Sequence, residues 1–305
     1  MDAFIQEYEV VDKKSCILES MTNFNTLINN LIQPLNIMHL NIRSCQKNFD
    51  AFVIFLSECK TDFYFIILTE TFKQNDLDLF QIEGYTLIYN SGTFNKNDGV
   101  IIYIKKYINH KYKIVDITVT KLIELEILLN NKKIILSALY RSPNTCPITF
   151  NNNLMNYLNN INKSDIHIFV GDININLLEY NEEFVEDYKS IMSEYGFISY
   201  INEYTRPASK TYLDHLFVKC SLNFENNIKS YIFRYHDITD HSPIALSINN
   251  FNNTNLNIMQ SKMFKYFINY EKLKLDLEQE NWFLVYSERD VNKSMECFIT
   301  NYKII

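Results

Sequence analysis

The stretch IHIFVGDIN, residues 166–174, is an apolar run that ends in an acid and an amide. Residues 166–170 are rich in β-branched and aromatic side chains without regular alternation, which is typical of a strand covered on both faces. Asp172 and Asn174 lie two residues apart, so in an extended segment their side chains point to the same side. The stretch therefore predicts a buried strand that places two polar groups at its end.

Further runs of this kind lie on both sides of that stretch and predict additional strands. They cover residues 37–40, 63–68, 100–104, 134–139 and 213–218. Between them, apolar residues spaced i, i+3, i+4 and i+7 predict helices with one buried stripe near residues 49–56, 154–161 and 184–195. Interleaved strands and helices of this length predict one large α/β domain over residues 33–248.

The two ends of the chain differ from this central pattern. Residues 1–32 are weakly helical and are interpreted as an N-terminal extension. Residues 249–255 are polar and lack periodicity, which is typical of a linker. Beyond them the patterns beginning at Phe264 and at Val291 predict a short helical C-terminal extension, so residues 249–305 form a linker and connector.

Composition excludes several classes of protein. The chain has 305 residues, of which 47% are hydrophobic, so it is not disordered. Its six cysteines have neither CxxC nor zinc-site spacing, which favours reduced thiols in an intracellular protein. No apolar run approaches the roughly 20 residues of a membrane span, so we expect a soluble protein without a membrane partner. A net charge of -7 argues against a protein that coats nucleic acid through bulk charge.

Polar residues stand where the predicted strands end, which is how α/β scaffolds build sites. They are Asn41, Glu70, Tyr140, Asp172, Asn174, Asp214, Asp240 and His241. These residue types suit hydrolysis of a phosphodiester with a divalent metal. Glu70 is a hard oxygen ligand of the kind that Mg²⁺ prefers, and Asp214 can accept a hydrogen bond from His241 and fix its tautomer.

Each of these elements also has an ordinary structural interpretation. Glu70 can be a solvated strand end, and Gly171–Asn174 is a sound turn sequence. Asp240 and His241 can form a helix cap with a surface histidine. His167, His215 and His236 are interpreted as structural. The joint arrangement, and no single residue, favours a catalytic site.

At these residues the chain resembles the endonuclease/exonuclease/phosphatase superfamily, and in particular the apurinic-type endonuclease domain of jockey-like non-LTR retrotransposons. The resemblance covers about residues 33–248 and rests on motifs in the family's order. These are LNIR at 40–43, LTETF at 68–72, DGVIIY at 98–103, LYRSP at 139–143, GDIN at 171–174, TRP at 205–207, TYLDHLF at 211–217 and TDHSP at 239–243. It implies a four-layer α-β-β-α sandwich with a short helical C-terminal extension.

The resemblance implies a metal site that holds Mg²⁺, with Mn²⁺ as an alternative. Glu70 would bind the metal and Asp240 would lie beside it. Two positions depart from the family pattern. Asp98 stands where the family often has the first glycine of a pair, and Arg43 stands where repair-type relatives often carry a second acid near the metal.

The resemblance also implies roles in catalysis and in binding the phosphate. Asn41, Tyr140 and Asn174 would contact the scissile phosphate, and Asp172 would orient or activate the attacking water. Asp214 would pair with His241, completing the catalytic set. Phosphate and DNA would be bound by Asn41, Tyr140, Arg141, Asn174, Thr211 and His241, with Thr211 helping to order the site.

The function implied is a metal-dependent phosphodiesterase that nicks one strand of double-stranded DNA and leaves a 3′-hydroxyl to prime reverse transcription. The segment near Trp282 resembles the connector that precedes the reverse transcriptase in these elements. We therefore expect a truncated retrotransposon polyprotein, monomeric and acting in the nucleus, with element RNA as a partner of the missing downstream domain. Two alternatives remain: a superfamily phosphatase or abasic-DNA repair hydrolase, and an inactive remnant that binds DNA without turnover.

The charge of the chain is unevenly distributed along the sequence. Between Lys96 and Arg141 there are nine basic and four acidic residues, a net charge of +5. We expect this basic stretch to lie along one side of the site and to contact phosphate. The net acidity of the whole chain then agrees with a metal-dependent enzyme that holds DNA only transiently.

Overall fold

Two mixed β-sheets form the centre of the protein in a computed structural model. The structure describes residues 15–91, 97–117, 120–179, 181–251, 278 and 282–294. The seven-stranded sheet contains, in spatial order, β1 (Cys16–Leu18), β12 (Ile228–Phe233), β13 (Ile244–Ile248), β2 (Leu35–Asn41), β3 (Phe65–Thr69), β5 (Val100–Lys105) and β4 (Tyr85–Asn90). The six-stranded sheet contains β10 (Ile198–Ser199), β11 (Asp214–Cys220), β9 (Ile166–Asp172), β8 (Lys132–Tyr140), β7 (Thr120–Leu129) and β6 (His110–Ile117).

Helices cover the outer faces of the two sheets. The helices are α1 (Met21–Asn29), α2 (Cys45–Glu58), α3 (Pro147–Asn159), α4 (Glu183–Glu194) and the short α5 (Leu222–Glu225), with a 3₁₀ turn at Asp78–Phe80. A side-chain cap begins α1, where the Ser20 hydroxyl accepts the Asn23 amide at 3.3 Å. Pro147 begins α3, at the position where its missing N–H costs no hydrogen bond. The helices predicted near 49–56, 154–161 and 184–195 correspond to α2, α3 and α4.

The core is divided into layers because successive residues of a strand face opposite sides. In β2, Ile37 packs between the two sheets, whereas Met38 and Leu40 pack against the outer helices. From α2, Phe52 fills that outer layer, and in the second half of the molecule Tyr188 of α4 covers the six-stranded sheet. The predicted four-layer α-β-β-α sandwich is confirmed.

Strand pairing directs polar residues to one end of the sandwich. β2 runs parallel to β3, so that Asn41 is paired with Thr69, and β8 runs parallel to β9, so that Tyr140 is paired with Asp172. β11 is antiparallel to β9 and begins at Asp214, which is also paired with Asp172. The ends of four parallel-paired strands and the start of a fifth therefore meet.

The N-terminal segment departs from the prediction for residues 1–32. Residues 16–29 are part of the domain, because β1 pairs with β12 and Phe24 of α1 is fully buried against Phe63 and Phe233. The sequence pattern missed this because β1 is only three residues long.

The chain divides into two units, residues 1–254 and 255–305. In the second unit the structure describes α6 (Phe283–Ser287) and a turn of helix at residues 291–294. The helical pattern predicted from Phe264 onward lies outside the described residues, as does the part of the pattern beginning at Val291 that follows residue 294. Among the residues described, no helix has the length and apolar character needed to cross a bilayer.

Candidate active site

The polar residues predicted at the strand ends form one cluster between the two sheets. Asn41 and Glu70 come from the seven-stranded sheet, while Tyr140, Asp172 and Asp214 come from the six-stranded sheet. Their polar side chains stand at the edge of an interior that is otherwise aliphatic and aromatic. Because each residue ends or begins a hydrogen-bonded strand, the backbone fixes where each side chain starts.

Asn41 connects the two sheets through its side-chain amide. Its Nδ2 atom donates to Asp172 Oδ2 at 2.7 Å and to Glu70 Oε1 at 2.9 Å. An amide nitrogen carries two protons, so both are used in these bonds. Asn41 thus holds two carboxylates side by side, and the implied contact between its side chain and the scissile phosphate stays a prediction.

Asp172 is fully buried, and its environment favours the protonated form. Burial, followed by the charges of Asp214 and Glu70, raises the pKa of Asp172 to about 8. Its Oδ1 accepts the backbone N–H of Asn174 at 3.1 Å, which fixes the plane of the carboxyl group. A carboxyl whose pKa lies near neutrality is suited to exchange a proton with water.

Asp214 and His241 form a buried ion pair. His241 Nδ1 lies 2.8 Å from Asp214 Oδ2. Thr205 donates its hydroxyl to the same carboxylate oxygen at 2.6 Å. Burial favours the neutral form of Asp214, but the charge and hydrogen bond of His241 outweigh it and hold the pKa of this carboxyl below its usual value.

The same pair keeps His241 charged. Burial alone would lower the pKa of the imidazole, but the Asp214 carboxylate, with Asp172 beyond it, raises the pKa of His241 to about 9. An imidazolium with Nδ1 held by a carboxylate has its other N–H available to a substrate oxygen. The pairing implied by the family resemblance is thus present in the geometry.

Tyr140 and Asn174 stand on either side of Asp172. Burial, and then the charge of Glu70, raises the pKa of Tyr140 well above its usual value, so the phenol remains a hydrogen-bond donor. The side-chain amide of Asn174 donates to the Arg141 carbonyl oxygen at 2.8 Å. That bond uses one of its two protons and leaves the second for a phosphate oxygen.

Backbone strain is concentrated around this cluster. Arg43, Ser44, Glu70 and Asn174 all have left-handed backbone conformations, with φ of 46°, 95°, 48° and 52°. Such conformations are costly for residues with a side chain and persist where the surrounding structure enforces them. Among them, Glu70 directly follows β3 and Asn174 lies two residues after β9, and the side chains of both form hydrogen bonds within the site.

Arg141 does not have the position expected of a DNA-binding residue. It is 2% exposed, and its guanidinium donates to the carbonyl oxygens of Ile173, at 3.0 Å, and of Asn174 and Thr145. Its charge is therefore used inside the protein. Arg141 holds the loop that carries Asn174, a position that does not support a direct contact with phosphate, and its role in binding phosphate stays a prediction.

Asp240 is likewise not placed as a metal ligand. Its Oδ1 lies 2.5 Å from Arg43 Nη1, and its Oδ2 lies 2.7 Å from both Nε and Nη2 of Arg206. Both oxygens are thus paired with guanidinium groups, whose hydrogen bonds outweigh burial and lower the pKa of Asp240. Asp240 therefore lies in an ion-pair cluster with Arg43 and Arg206, and its expected position beside a metal stays a prediction.

Thr211 and two lysines of the basic stretch also differ from expectation. The Thr211 hydroxyl contacts Ser209 at 2.7 Å, and the threonine that orders the site is Thr205. Lys105 and Lys133 lie at strand ends opposite the site and are paired with Asp62 and Glu126, at 2.6 Å and 3.1 Å. Lys96 is outside the described residues. These two lysines therefore do not line the site, whereas Lys121 lies near the start of β7, at the end where Tyr140 ends β8, and the expectation for the whole stretch stays a prediction.

The donors present fit a divalent cation. Asp172, Asp214 and His241 offer ligand atoms that all lie within 4.8 Å of one another. However, His241 Nδ1 and Asp214 Oδ2 are bonded to each other, so a cation between them would have to break the ion pair. Glu70 and Asp172 are the better pair of metal ligands. The Asn41 Nδ2 atom donates to one oxygen of each carboxylate and so keeps the two close together, and carboxylate oxygens are hard ligands that suit Mg²⁺.

Three residues of the site had no assigned role in the sequence analysis. Thr205 and Arg206 belong to the TRP motif, and they brace Asp214 and Asp240, which lie in separate segments. His39 lies within the otherwise apolar strand β2, and its Nδ1 atom is 3.8 Å from Asp214 Oδ1. The motif was the only signal for the first two; for His39 the signal was a single polar residue in a run predicted to be buried.

The fold and site together define a two-sheet α/β sandwich with a carboxylate and histidine cluster at one end. Comparison of the sequence with protein-family models gives no match, and comparison with curated protein sequences gives none either. Solved structures do match. The endonuclease domain of TRAS1, a telomere-specific non-LTR retrotransposon, is 12% identical, covers 71% of this chain and 98% of its own, and has a TM-score of 0.56.

Two further structures extend this comparison. An AP endonuclease, LMAP, from Leishmania major is 14% identical over 81% of this chain and 96% of its own, with a TM-score of 0.59. TDP2 from D. rerio, complexed with a single-strand DNA product, is 12% identical, covers 70% of this chain and 98% of its own, and has a TM-score of 0.55. The chain therefore has the endonuclease/exonuclease/phosphatase fold, as the sequence motifs predicted.

Proposed function

We propose that this chain is a divalent-metal-dependent endonuclease that nicks one strand of double-stranded DNA by attack of water on a phosphodiester. The observation that carries the proposal is the Asp214–His241 ion pair beside the adjoining carboxylates of Asp172 and Glu70. An acid, a base and a hard-ligand pair within one cluster are the groups that this reaction needs.

Asp172 acts on the attacking water. In its ionised form the carboxylate accepts a proton from the water as the new P–O bond forms. The bond between phosphorus and O3′ breaks, and the leaving O3′ takes a proton from solvent to become the 3′-hydroxyl. The Asn41 side chain and the backbone N–H of Asn174 hold the carboxyl group in a fixed plane, so the water is oriented before it reacts.

His241 acts on the phosphate. The imidazolium donates a hydrogen bond to a non-bridging oxygen, where negative charge increases as water adds. Asp214 and Thr205 keep the ring in place and keep Nδ1 protonated. Tyr140 and Asn174 are further donors to the same phosphate.

A divalent ion held by Glu70 and Asp172 would supply Lewis-acid activation and neutralise charge on the phosphate. Mg²⁺ is the proposed ion, with Mn²⁺ as an alternative. On the protein side, Arg43 and Arg206 share the single carboxylate of Asp240 and leave a net positive charge at the rim. This charge favours a transient hold on the DNA backbone despite the acidity of the whole chain.

The test is nicking of a supercoiled plasmid in Mg²⁺, with Asp172→Ala and His241→Ala beside the wild-type protein. Asp187→Ala, an exposed acid on α4, is the matched control. We expect the wild type and the control to relax the plasmid, and the two site variants and an EDTA-treated sample to leave it supercoiled. Equal inactivity of wild type and site variants would remove the nuclease proposal; DNA binding without nicking would identify an inactive remnant.

The product distinguishes a role in priming reverse transcription from other uses of the nick. We propose that the nick leaves a 3′-hydroxyl, as implied by the retrotransposon resemblance and supported by the similarity to the TRAS1 endonuclease domain. A DNA polymerase should then extend the nicked strand directly, without prior phosphatase treatment. A nick that needs phosphatase treatment before extension contradicts this part of the proposal.

A second candidate is cleavage at abasic sites, favoured by the similarity to an AP endonuclease over 81% of this chain. It uses the same site and differs only in substrate. A duplex oligonucleotide with one abasic analogue, compared with the intact duplex, separates the two. Efficient cleavage of the abasic duplex alone would favour repair over nicking of intact DNA.

A further inference from the structure

His39 is a polar residue in the layer where the two sheets pack together. Its strand partners in the seven-stranded sheet are Ile67 and Ile244, both fully buried in that layer. His39 itself is 0% exposed. A buried polar side chain in an apolar layer is costly unless its hydrogen bonds are satisfied, so its presence calls for a partner.

The two ring nitrogens of His39 face different strands. Nε2 lies 3.1 Å from the Thr69 hydroxyl, in the residue before Glu70. Nδ1 lies 3.8 Å from Asp214 Oδ1, across the interface between the sheets. Within the part of the chain that the structure describes, Nδ1 and Oδ1 are both buried atoms without another hydrogen-bond partner.

The other oxygen of Asp214 is fully engaged. Oδ2 accepts the Nδ1–H of His241 and the hydroxyl of Thr205, whereas Oδ1 meets only the His39 ring. At 3.8 Å, Nδ1 and Oδ1 are too far apart for a hydrogen bond, and an approach of roughly 0.5 Å would form one. The imidazole that fills this place can then limit rotation of Asp214 about its Cβ–Cγ bond.

We propose that His39 is a positioning residue, which acts through Asp214 to hold His241 in its catalytic orientation. Nδ1–H of His39 donates toward Asp214 Oδ1, while Nε2 accepts the Thr69 hydroxyl. Thr69, His39, Asp214 and His241 then form one chain of contacts that crosses from the seven-stranded to the six-stranded sheet. The proposal rests on the proposed function, because it gives His39 a role in that same site.

The simplest rival is that His39 only fills space. Two variants separate the alternatives, because asparagine places its amide nitrogen near the Nδ1 position of histidine and glutamine places its own near the Nε2 position. His39→Asn keeps a donor toward Asp214 and loses bulk. His39→Gln keeps bulk and the contact with Thr69 but loses the donor toward Asp214.

The first measurement is plasmid nicking with kcat and KM determined separately. We expect His39→Gln to lower kcat by about 10- to 100-fold, as loss of the partner behind a functional group typically does, with KM near the wild-type value. His39→Asn should retain most of kcat. The matched control is His167→Leu, which removes a buried histidine that is hydrogen-bonded to Ser137 at 2.8 Å and lies at the end of β9 away from Asp172.

The second measurement does not depend on turnover. In protein labelled with ¹⁵N-histidine, the His241 Nδ1–H proton reports its hydrogen bond to Asp214, and the signal is assigned by its loss in His241→Asn. We expect this resonance to be retained in His39→Asn and His167→Leu, and to move upfield or to broaden by exchange with water in His39→Gln.

The outcomes separate the two proposals. If the chain nicks no DNA but the resonance changes only in His39→Gln, the nuclease proposal fails and the positioning contact stands. If the chain nicks DNA and His39→Gln has wild-type kcat and an unshifted resonance, the inference about His39 is overturned. It is also overturned if His39→Asn is as defective as His39→Gln, because space filling then explains both.

Discussion

Asp172 is a carboxyl group held where the protein favours its neutral form. Its pKa is about 8 in the folded protein, against an ordinary value of 3.8. Because the folded-state value is the higher one, this group stabilises the fold fully below about pH 4, and the contribution is lost as the pH rises through about 8. A catalytic group that costs stability at its working pH is a common trade-off in active sites.

The pH dependence of stability tests this account of Asp172. In metal-free protein, we expect the free energy of unfolding to fall between pH 5 and pH 8, and to fall less in Asp172→Asn, by on the order of 1–2 kcal/mol over that range. Urea unfolding in EDTA at a series of pH values measures both slopes. Equal slopes would show that Asp172 ionises normally in the folded state.

Arg141 illustrates a basic residue whose role is internal. Its guanidinium holds the carbonyl oxygens of the loop that follows Asp172, so Arg141→Lys should lower the free energy of unfolding by about 2 kcal/mol, since lysine cannot reach the same set of oxygens. The salt dependence of DNA binding should remain as in the wild type. A shallower salt slope in Arg141→Lys would instead indicate a direct contact with phosphate.

At the scale of single elements, the close pairing of strands β8 and β9 depends on a glycine. Gly171 has a φ of 152°, and a Cβ atom at this position would collide with the Leu139 carbonyl of the neighbouring strand. Only glycine lets the two backbones approach closely enough to keep Tyr140 beside Asp172. The sequence GDIN therefore combines a packing requirement with a catalytic one.

Alanine substitutions at two glycines test this requirement. Gly84 has a φ of 82° and open space around it, so Gly84→Ala should cost only the backbone term of about 1–2 kcal/mol. Gly171→Ala should cost clearly more, at least about 3 kcal/mol, because the collision involves backbone that cannot move aside. Urea unfolding of the two variants decides; equal losses would show that β8 can shift.

At the scale of the whole molecule, the N-terminal segment completes the outer layer of the seven-stranded sheet. Phe24 is fully buried and packs with Phe63, Tyr231 and Phe233, with ring centroids 6.3, 5.3 and 4.8 Å away. Without α1 this part of the sheet would expose its aromatic side chains. The domain therefore begins well before residue 33.

Truncation and point substitution test the same boundary. A chain of residues 1–254 should unfold cooperatively, because it forms a compact unit by itself, whereas residues 33–254 should aggregate or lack a cooperative transition. Phe24→Ala in the longer chain should cost about 3–5 kcal/mol, as for other buried aromatic residues. Calorimetry provides the readout. A cooperative transition of residues 33–254 at the same temperature would contradict the role of α1.

The sequence by itself determined six of the strands (β2, β3, β5, β8, β9 and β11), the helices α2, α3 and α4, and the residues that stand at the strand ends. Periodicity and polarity are local properties, and a continuous apolar run followed by Asp172 or Glu70 carries them directly. The ordered motifs also determined the fold. The other strands were not predicted. In β6 and β7, charged residues such as Lys113 and Glu124 interrupt the apolar pattern and find partners only across the sheet.

Only the tertiary structure decided which polar groups meet. From the sequence, Arg141 was expected to contact DNA and Asp240 to lie beside a metal. In the structure, Arg141 is buried and donates to carbonyl oxygens, and Asp240 is paired with two arginines. Thr205 donates a hydrogen bond to Asp214, and His39 contacts Asp214 from the opposite sheet. The local sequence around these residues does not predict either contact. Hydrogen-bond partners depend on distances between segments that are far apart in the chain, and those distances exist only once the two sheets have packed together.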